Sequence, residues 1–222
     1  MEELWPGDEA SPVRAQKKRH RPSEIDRPDV RTKRARFLKA IRGVATKRLV
    51  CVDESGVNIA MGRSHAWVQR GEEYVESRPM NWGNNLTLIG AIRADRWLTL
   101  NTKWRAINKV TFVEWVRDSL APRLRRGDVV LMDNLPAHKA PEIRHLIAAR
   151  GAELRYLPPY SHDFNPIESA WGLVKKRIRA CAPRTAAALR RVARAARSVV
   201  RPHHCRQFFA HAGYVNSSAN RG

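Results

Sequence analysis

The chain has 222 residues, which is enough for one well-buried domain with extensions. Its formal net charge is +21, from 42 lysine and arginine residues against 21 aspartate and glutamate residues. No apolar run approaches the ~18 residues of a membrane helix, the charged N-terminus does not resemble a signal peptide, and three cysteines without C-x-x-C spacing argue against a zinc finger. The composition therefore predicts a cytoplasmic protein.

The positive charge is concentrated at the two ends of the chain. Residues 1–48 hold 14 basic and 7 acidic residues, residues 49–168 hold 16 and 14, and residues 169–222 hold 12 and none. Basic flanks around a near-neutral middle favour a polyanionic partner, because each neutralised phosphate releases counterions. The alternative is that the flanks are solvated tails.

The first predicted elements are an N-terminal arm and a short helix. Residues 1–36 carry four prolines among their charges and are predicted to form an extended arm, disordered when free and in contact with DNA when bound. Phe37 to Val44 is predicted as a short helix that packs on the core.

Antiparallel strands and a polar hairpin are predicted next. A strand from Arg48 to Val52 ends at Asp53. The other predicted elements, in chain order, are a strand over His65 to Gln69, a polar hairpin over Arg70 to Gly83, a strand over Asn85 to Arg93 and an edge strand over Trp97 to Trp104.

Strands and helices alternate after this point. Thr111 and Glu114 have the spacing of a capping box, so a helix is predicted from Thr111. The apolar run Val129 to Met132 is typical of a buried parallel strand and leads into Asp133. A helix from Pro141, ended by Gly151, and a strand over Glu153 to Leu157 follow. This alternation predicts parallel pairing with right-handed crossovers, and ligands bind at the carboxyl ends of such strands.

The stretch from Tyr156 to Trp171 is predicted to start a helix, with Asn165 as its N-cap and Pro166 at its first position. One face of this helix is an apolar stripe formed by Ile167, Trp171, Val174 and Ile178. A different face carries Glu168, Lys175 and Arg179.

A further helix is predicted from Thr185 to about Arg201. Arg190, Arg194, Arg197 and Arg201 share one of its faces at helical spacing, and no acidic residue is near them in sequence. We predict that this face follows a phosphate backbone; a solvated arginine face is the alternative.

Three carboxylates stand at positions typical of a metal site. Asp53 and Asp133 each follow an apolar strand, and 34 residues separate Asp133 from Glu168. A glutamate in a first helical turn usually only complements the helix dipole. Together with two strand-end aspartates, however, Glu168 completes the hard oxygen ligands of a two-metal phosphodiester site.

Three motifs carry a resemblance to a known family. The segments V-D-E-S-G, L-M-D-N-x-x-x-H-K and L-P-P-Y-S-x-x-x-N-P-I-E-x-x-W resemble those of bacterial insertion-sequence transposases of the mariner superfamily. The resemblance implies an α/β, ribonuclease-H-like mixed sheet flanked by helices. It also implies that Asp53, Asp133 and Glu168 hold two Mg²⁺ or Mn²⁺ ions, and that the protein is associated with the nucleoid. His162 stands where a proline is common in the family, a difference that we do not expect to affect the chemistry.

The implied activity is cleavage of transposon ends and strand transfer into target DNA at a TA step. Asn134 and His138 are second-tier candidates for orienting ligands or substrate. Lys175, Arg179, Arg190, Arg194 and Arg197 are the candidate DNA contacts. The expected partners are transposon-end and target DNA, a second copy of the chain, and a separate helix-turn-helix protein or upstream frame, since the chain resembles the catalytic half of a transposase.

The sequence predicts three regions: a basic arm over 1–48, the catalytic domain over 49–182 and a basic helical extension over 183–222. Two alternatives to transposition stay open at this point. One is a nuclease of the same fold without strand transfer, and the other is an inactive DNA-binding remnant.

Overall fold

The computed structural model describes residues 22–214, which form a five-stranded mixed sheet flanked by helices. The strand order is β3-β2-β1-β4-β5, with β1 to β3 antiparallel and β4 and β5 parallel to β1. The predicted α/β architecture is confirmed. The strands are β1 (Leu49–Val57), β2 (Leu86–Arg93), β3 (Arg96–Trp104), β4 (Val129–Met132) and β5 (Glu153–Tyr156).

Helices cover both faces of the sheet. They are α1 (Pro28–Ile41), α2 (Lys109–Trp115), α3 (Pro141–Ala148), α4 (Ile167–Cys181), α5 (Ala186–Ala195) and α6 (Pro202–His211). Alternate residues of β1 point to opposite faces. Leu49 and Cys51 belong to the core that α1, α4, α5 and α6 cover, and Val50 and Val52 to the core under α2 and α3.

β1 does not end at Asp53, as the sequence predicted, but continues to Val57. The polar run after Val52 pairs with β2, with Asp53 opposite Gly90 and Ser55 opposite Leu88. β4 pairs with β1 only as far as Cys51. Asp53 therefore lies within β1, beyond the point where the parallel neighbour has ended.

The prediction of an extended arm up to Arg36 is wrong for residues 28–36, which form most of α1. Pro28 starts the helix, and Val30, Phe37 and Ile41 are its buried residues. The arm over residues 1–21 lies outside the described part of the chain, and the predicted division into three regions stays a prediction.

The segment from 58 to 85, between β1 and β2, contains no strand. The predictions of a strand over 65–69 and of a paired hairpin over 70–83 are therefore wrong. Trp67, at the centre of the predicted strand, is fully exposed. Arg184 holds the segment by donating to the carbonyl oxygens of Ile59 and Met61, each at 3.0 Å, and by pairing with Glu76.

Two helix boundaries also differ from prediction. α2 starts two residues early because Asn108, not Thr111, is its N-cap, and the Asn108 and Thr111 side chains form the capping box. The helix predicted to reach Arg201 ends at Ala195, and a 3-10 turn leads from it into α6. None of the helices formed by residues 22–214 is long and apolar enough to cross a membrane.

Candidate active site

The three predicted carboxylates line one pocket of about 410 Å³, at the edge of the sheet where β4 ends. Asp53 comes from β1, Asp133 follows β4 directly, and Glu168 lies in the first turn of α4. A larger cavity of about 1110 Å³, between α1, α4 and α6, shares Glu168 with this pocket.

Asp53 is fixed by the helix that carries Glu168. The Trp171 indole N–H donates to Asp53 Oδ2 at 3.0 Å. Burial, followed by the nearby charge of Glu168 and a smaller contribution from Asp133, raises the pKa of Asp53 to about 7. Asp133 and Glu168 are thus close enough to Asp53 for their negative charges to disfavour its ionisation.

Asp133 is held through its Oδ1 atom. His138 Nδ1 forms a short contact with this oxygen, and the Leu135 backbone N–H donates to it at 3.3 Å. The other ring nitrogen of His138 lies 3.3 Å from Glu54 Oε1. Burial tends to lower the pKa of the His138 imidazole, but the two carboxylates outweigh burial and raise this pKa to about 9.

The start of α4 is tied to β1 by Asn165, in a way that the sequence did not predict. The Asn165 side chain does not cap α4, which begins at Ile167; its Nδ2 donates to the Val52 carbonyl at 3.2 Å. This bond joins the residue before Asp53 to the start of the Glu168 helix. The Glu168 side chain is about half exposed, with His162 Nδ1 at 3.7 Å from its Oε1.

The donor set fits a divalent cation. Carboxylate oxygens are the ligands that Mg²⁺ and Mn²⁺ prefer, and a bound cation would offset the burial and the like charges that raise the pKa of Asp53. Within residues 22–214, no three acidic, histidine or cysteine side chains already stand at metal-binding spacing. Glu168, whose side chain is about half exposed, would have room to turn toward an ion held by the other carboxylates.

The predicted DNA contacts differ in their exposure. Arg179, Arg194 and Arg197 are exposed, and Lys175 is partly buried. Arg190 is also partly buried, with its guanidinium 5.7 Å from the centre of the Trp104 ring. Asn134 is exposed at the pocket, whereas His138 is buried behind Asp133.

Sequence reasoning missed the roles of Glu54 and Trp171 around the pocket. The sequence predicts Trp171 only as part of the apolar stripe of α4. Trp171 is buried in that stripe, but its indole N–H also faces Asp53. The position of each residue in the sequence, beside a predicted metal ligand, could have indicated its role. Glu54 is the neighbour of Asp53, and Trp171 lies one turn beyond Glu168.

Residues 48–190 match the DDE superfamily endonuclease family, and the chain belongs to that family. The matched region begins just before β1 and includes all three carboxylates. No curated protein sequence matches the chain.

Solved structures of Mos1 transposase share the fold. The Mos1 paired-end complex with left transposon end superposes with a TM-score of 0.73 at 16% identity, covering 90% of this chain and 64% of that chain. The Mos1 strand transfer complex gives 0.70 at 15% identity, covering 92% and 64%. The catalytic domain of Mos1 mariner transposase gives 0.58 at 13% identity, covering 87% and 91%. The fold is therefore the predicted ribonuclease-H-like one, and the chain spans about two thirds of the length of the first two structures.

Proposed function

We propose that the chain is the catalytic part of a DNA transposase of a bacterial insertion sequence. It would cut the ends of its element and transfer the freed 3′ ends into target DNA. The observation that carries the proposal is that Asp53, Asp133 and Glu168 converge on one pocket, where the pKa of Asp53 responds to the other two charges. The endonuclease family and the fold shared with Mos1 transposase support it.

Asp53, Asp133 and Glu168 are the proposed ligands of two Mg²⁺ or Mn²⁺ ions. When bound, the ions would favour deprotonation of the attacking water and stabilise the charge that develops at the scissile phosphate. Mos1 complexes with Mg and with Mn are among the structures of this fold.

The chain's own residues keep the pocket in place. Trp171 orients Asp53 through Oδ2, and His138 holds Asp133 through Oδ1. Glu168 would have room to turn toward bound ions, since its side chain is about half exposed. Asn165 keeps the start of α4 beside β1 during this movement.

DNA is the proposed partner, in the form of transposon ends and target. The exposed cations Arg179, Arg194 and Arg197 would position its phosphates without reading sequence. We include in the proposal a second copy of the chain and a helix-turn-helix protein, or upstream frame, that reads the element's ends.

A cleavage and strand-transfer assay tests the proposal. Duplexes that carry the element's ends are incubated with target plasmid and Mg²⁺ or Mn²⁺, with and without the product of the upstream frame. We expect Asp53→Asn, Asp133→Asn and Glu168→Gln each to abolish cleavage and leave DNA binding nearly intact. Glu142→Gln, at an exposed position of α3, is the matched control.

The products separate the proposal from its alternatives. Metal-dependent cuts followed by joined products support a transposase, whereas cuts without joining would indicate a nuclease. Substantial cleavage by the Glu168→Gln protein would contradict the assignment of the three carboxylates.

A further inference from the structure

His138 joins two carboxylates from neighbouring strands. Its Nδ1 contacts Asp133 Oδ1, and its Nε2 lies 3.3 Å from Glu54 Oε1. Glu54 belongs to β1 and Asp133 follows β4, so the imidazole spans the two strands just beyond their last paired residues. A line of contacts therefore runs from Glu54 through His138 to Asp133.

The imidazole itself is firmly placed. Only 2% of His138 is exposed, and its ring centre lies 4.1 Å from that of Phe112. Its carbonyl oxygen accepts a hydrogen bond from the Tyr156 hydroxyl at 2.7 Å, and its backbone N–H donates to Leu135 O at 3.0 Å. A ring packed and bonded in this way has little freedom to turn, so its orientation is passed on to the carboxylates it contacts.

The side chains of Glu54 and Asp53, which are neighbours on β1, lie on different faces of the sheet. Because side chains alternate along a strand, Glu54 and Asp53 point to opposite faces. Asp53 meets Trp171 of α4, whereas Glu54 meets His138 on the face that α2 covers. Glu54 thus lines the same pocket from the other face of β1, where its Oε1 contacts the His138 imidazole.

We propose that Glu54 and His138 are positioning residues that fix the Asp133 carboxylate and thereby set the affinity of the site for its metal ions. The inference rests on the proposed function, in which Asp133 is a ligand. Groups that orient a metal ligand typically change affinity or activity 10–100-fold when they are replaced. Both contacts of Asp133 are made through Oδ1, which fixes the orientation of the carboxylate.

Metal binding by the full chain tests the proposal without relying on activity. Calorimetry with Mn²⁺ gives the dissociation constant of the wild type and of Glu54→Ala, Glu54→Gln and His138→Asn. We expect Glu54→Ala to weaken Mn²⁺ binding by roughly 10–100-fold. Glu54→Gln should retain most of the affinity, because its amide oxygen can still accept from His138 Nε2. Glu142→Ala, a surface change of the same kind, should have no effect.

A double variant separates positioning from general loosening of the structure. In His138→Asn, the amide N–H takes the place of Nδ1 at Asp133 but cannot reach Glu54. Adding Glu54→Ala to this variant should therefore weaken Mn²⁺ binding no further. Two independent effects that multiply, or wild-type affinity in Glu54→Ala, would overturn the proposal. Thermal unfolding of each variant verifies that it is folded.

Asp133→Asn distinguishes the failure of this inference from failure of the proposed function. Wild-type Mn²⁺ affinity in Asp133→Asn would remove Asp133 from the metal site and overturn both. Weak binding by Asp133→Asn beside unchanged binding by Glu54→Ala would overturn only the role of Glu54 and leave the proposed function standing.

Discussion

At the scale of single residues, Trp171 is the link between the packing of α4 and the chemistry of Asp53. Its ring is buried against Trp97, with the ring centres 5.3 Å apart, and its N–H reaches Asp53 Oδ2. Gly90, which pairs with Asp53 across the sheet, makes this placement possible. A Cβ atom at Gly90 would lie 2.8 Å from Trp97, closer than real contacts allow, and 3.0 Å from Trp171, tighter than most real contacts.

We therefore predict that Gly90→Ala displaces the Trp171 indole from Asp53. Overpacking of this kind typically costs about 1–3 kcal/mol of stability, and cleavage should fall along with it. Gly56→Ala is the matched control, because a Cβ at this position of β1 meets nothing within 4 Å. Unfolding by denaturant and the cleavage assay measure the two effects. Equal behaviour of the two variants would contradict the role given to Gly90.

At the scale of elements, α1 is attached to the loop that leads into α4. Arg34 donates to both carboxylate oxygens of Asp163, at 2.8 and 2.6 Å, and to Ser161 Oγ at 2.9 Å. Its guanidinium also lies 4.0 Å from the centre of the Phe164 ring. This contact holds the segment that precedes Glu168 against the N-terminal helix.

Arg34→Ala should destabilise the protein by about 1–2 kcal/mol, a range that allows for the partial exposure of Asp163. Burial tends to raise the pKa of Asp163, but the hydrogen bonds from Arg34 outweigh burial and lower this pKa below its ordinary value of 3.8. The stabilisation is therefore present above that value and is lost as the pH falls below it. Melting temperatures of Arg34→Ala and of the exposed Arg31→Ala, measured from pH 7 to pH 3, provide the test. A gap between Arg34→Ala and wild type that does not shrink between pH 7 and pH 3 would contradict a contribution from the ion pair, since the contacts of Arg34 with Ser161 and Phe164 do not depend on pH.

The same arginine explains why the part of α1 before Phe37 escaped prediction from sequence. Val30, Arg34, Phe37 and Ile41 form one stripe at helical spacing, but a cation at its second position breaks the apolar pattern. In the structure, Arg34 completes the stripe by covering Phe164. The sequence pattern does not reveal that Arg34 contacts an aromatic ring and a carboxylate, Phe164 and Asp163, that lie more than 120 residues away along the chain.

Patterns that depend on local burial were predictable. β4 and the Ile167, Trp171, Val174 and Ile178 stripe of α4 agree with prediction, because a continuous apolar run and a helical stripe need no distant partner to be recognised. The predicted β1 is too short because the end of this strand depends on a distant partner. Its polar residues from Asp53 onwards are strand residues because β2 pairs with them.

At the scale of the whole molecule, folding divides the predicted cationic face into two kinds of arginine. Arg194 and Arg197 are exposed, whereas Arg190 is partly buried beside Trp104 and packs the C-terminal helices onto β3. The exposed pair has the accessibility that a phosphate-binding surface needs, and Arg190 combines its charge with a packing role.

Neutralising Arg194 and Arg197 together by glutamine should flatten the dependence of log affinity for DNA on log salt, by about 0.9 for each phosphate that these arginines neutralise. Arg190→Gln should instead lower stability, because its guanidinium contacts the Trp104 ring. DNA binding at several salt concentrations, with unfolding curves beside it, measures both. An unchanged slope in the Arg194 and Arg197 double variant would show that these cations are only solvated.

The most direct test of the central claim is crystallography of the chain with Mn²⁺, using anomalous scattering to locate the ions. We predict two peaks in the pocket between Asp53, Asp133 and Glu168, about 3.5–4 Å apart, with Glu168 turned inward. Asp133→Asn should lower or remove these peaks. No peak at these carboxylates, or Mn²⁺ bound only elsewhere on the chain, would contradict the claim that the three residues form one metal centre.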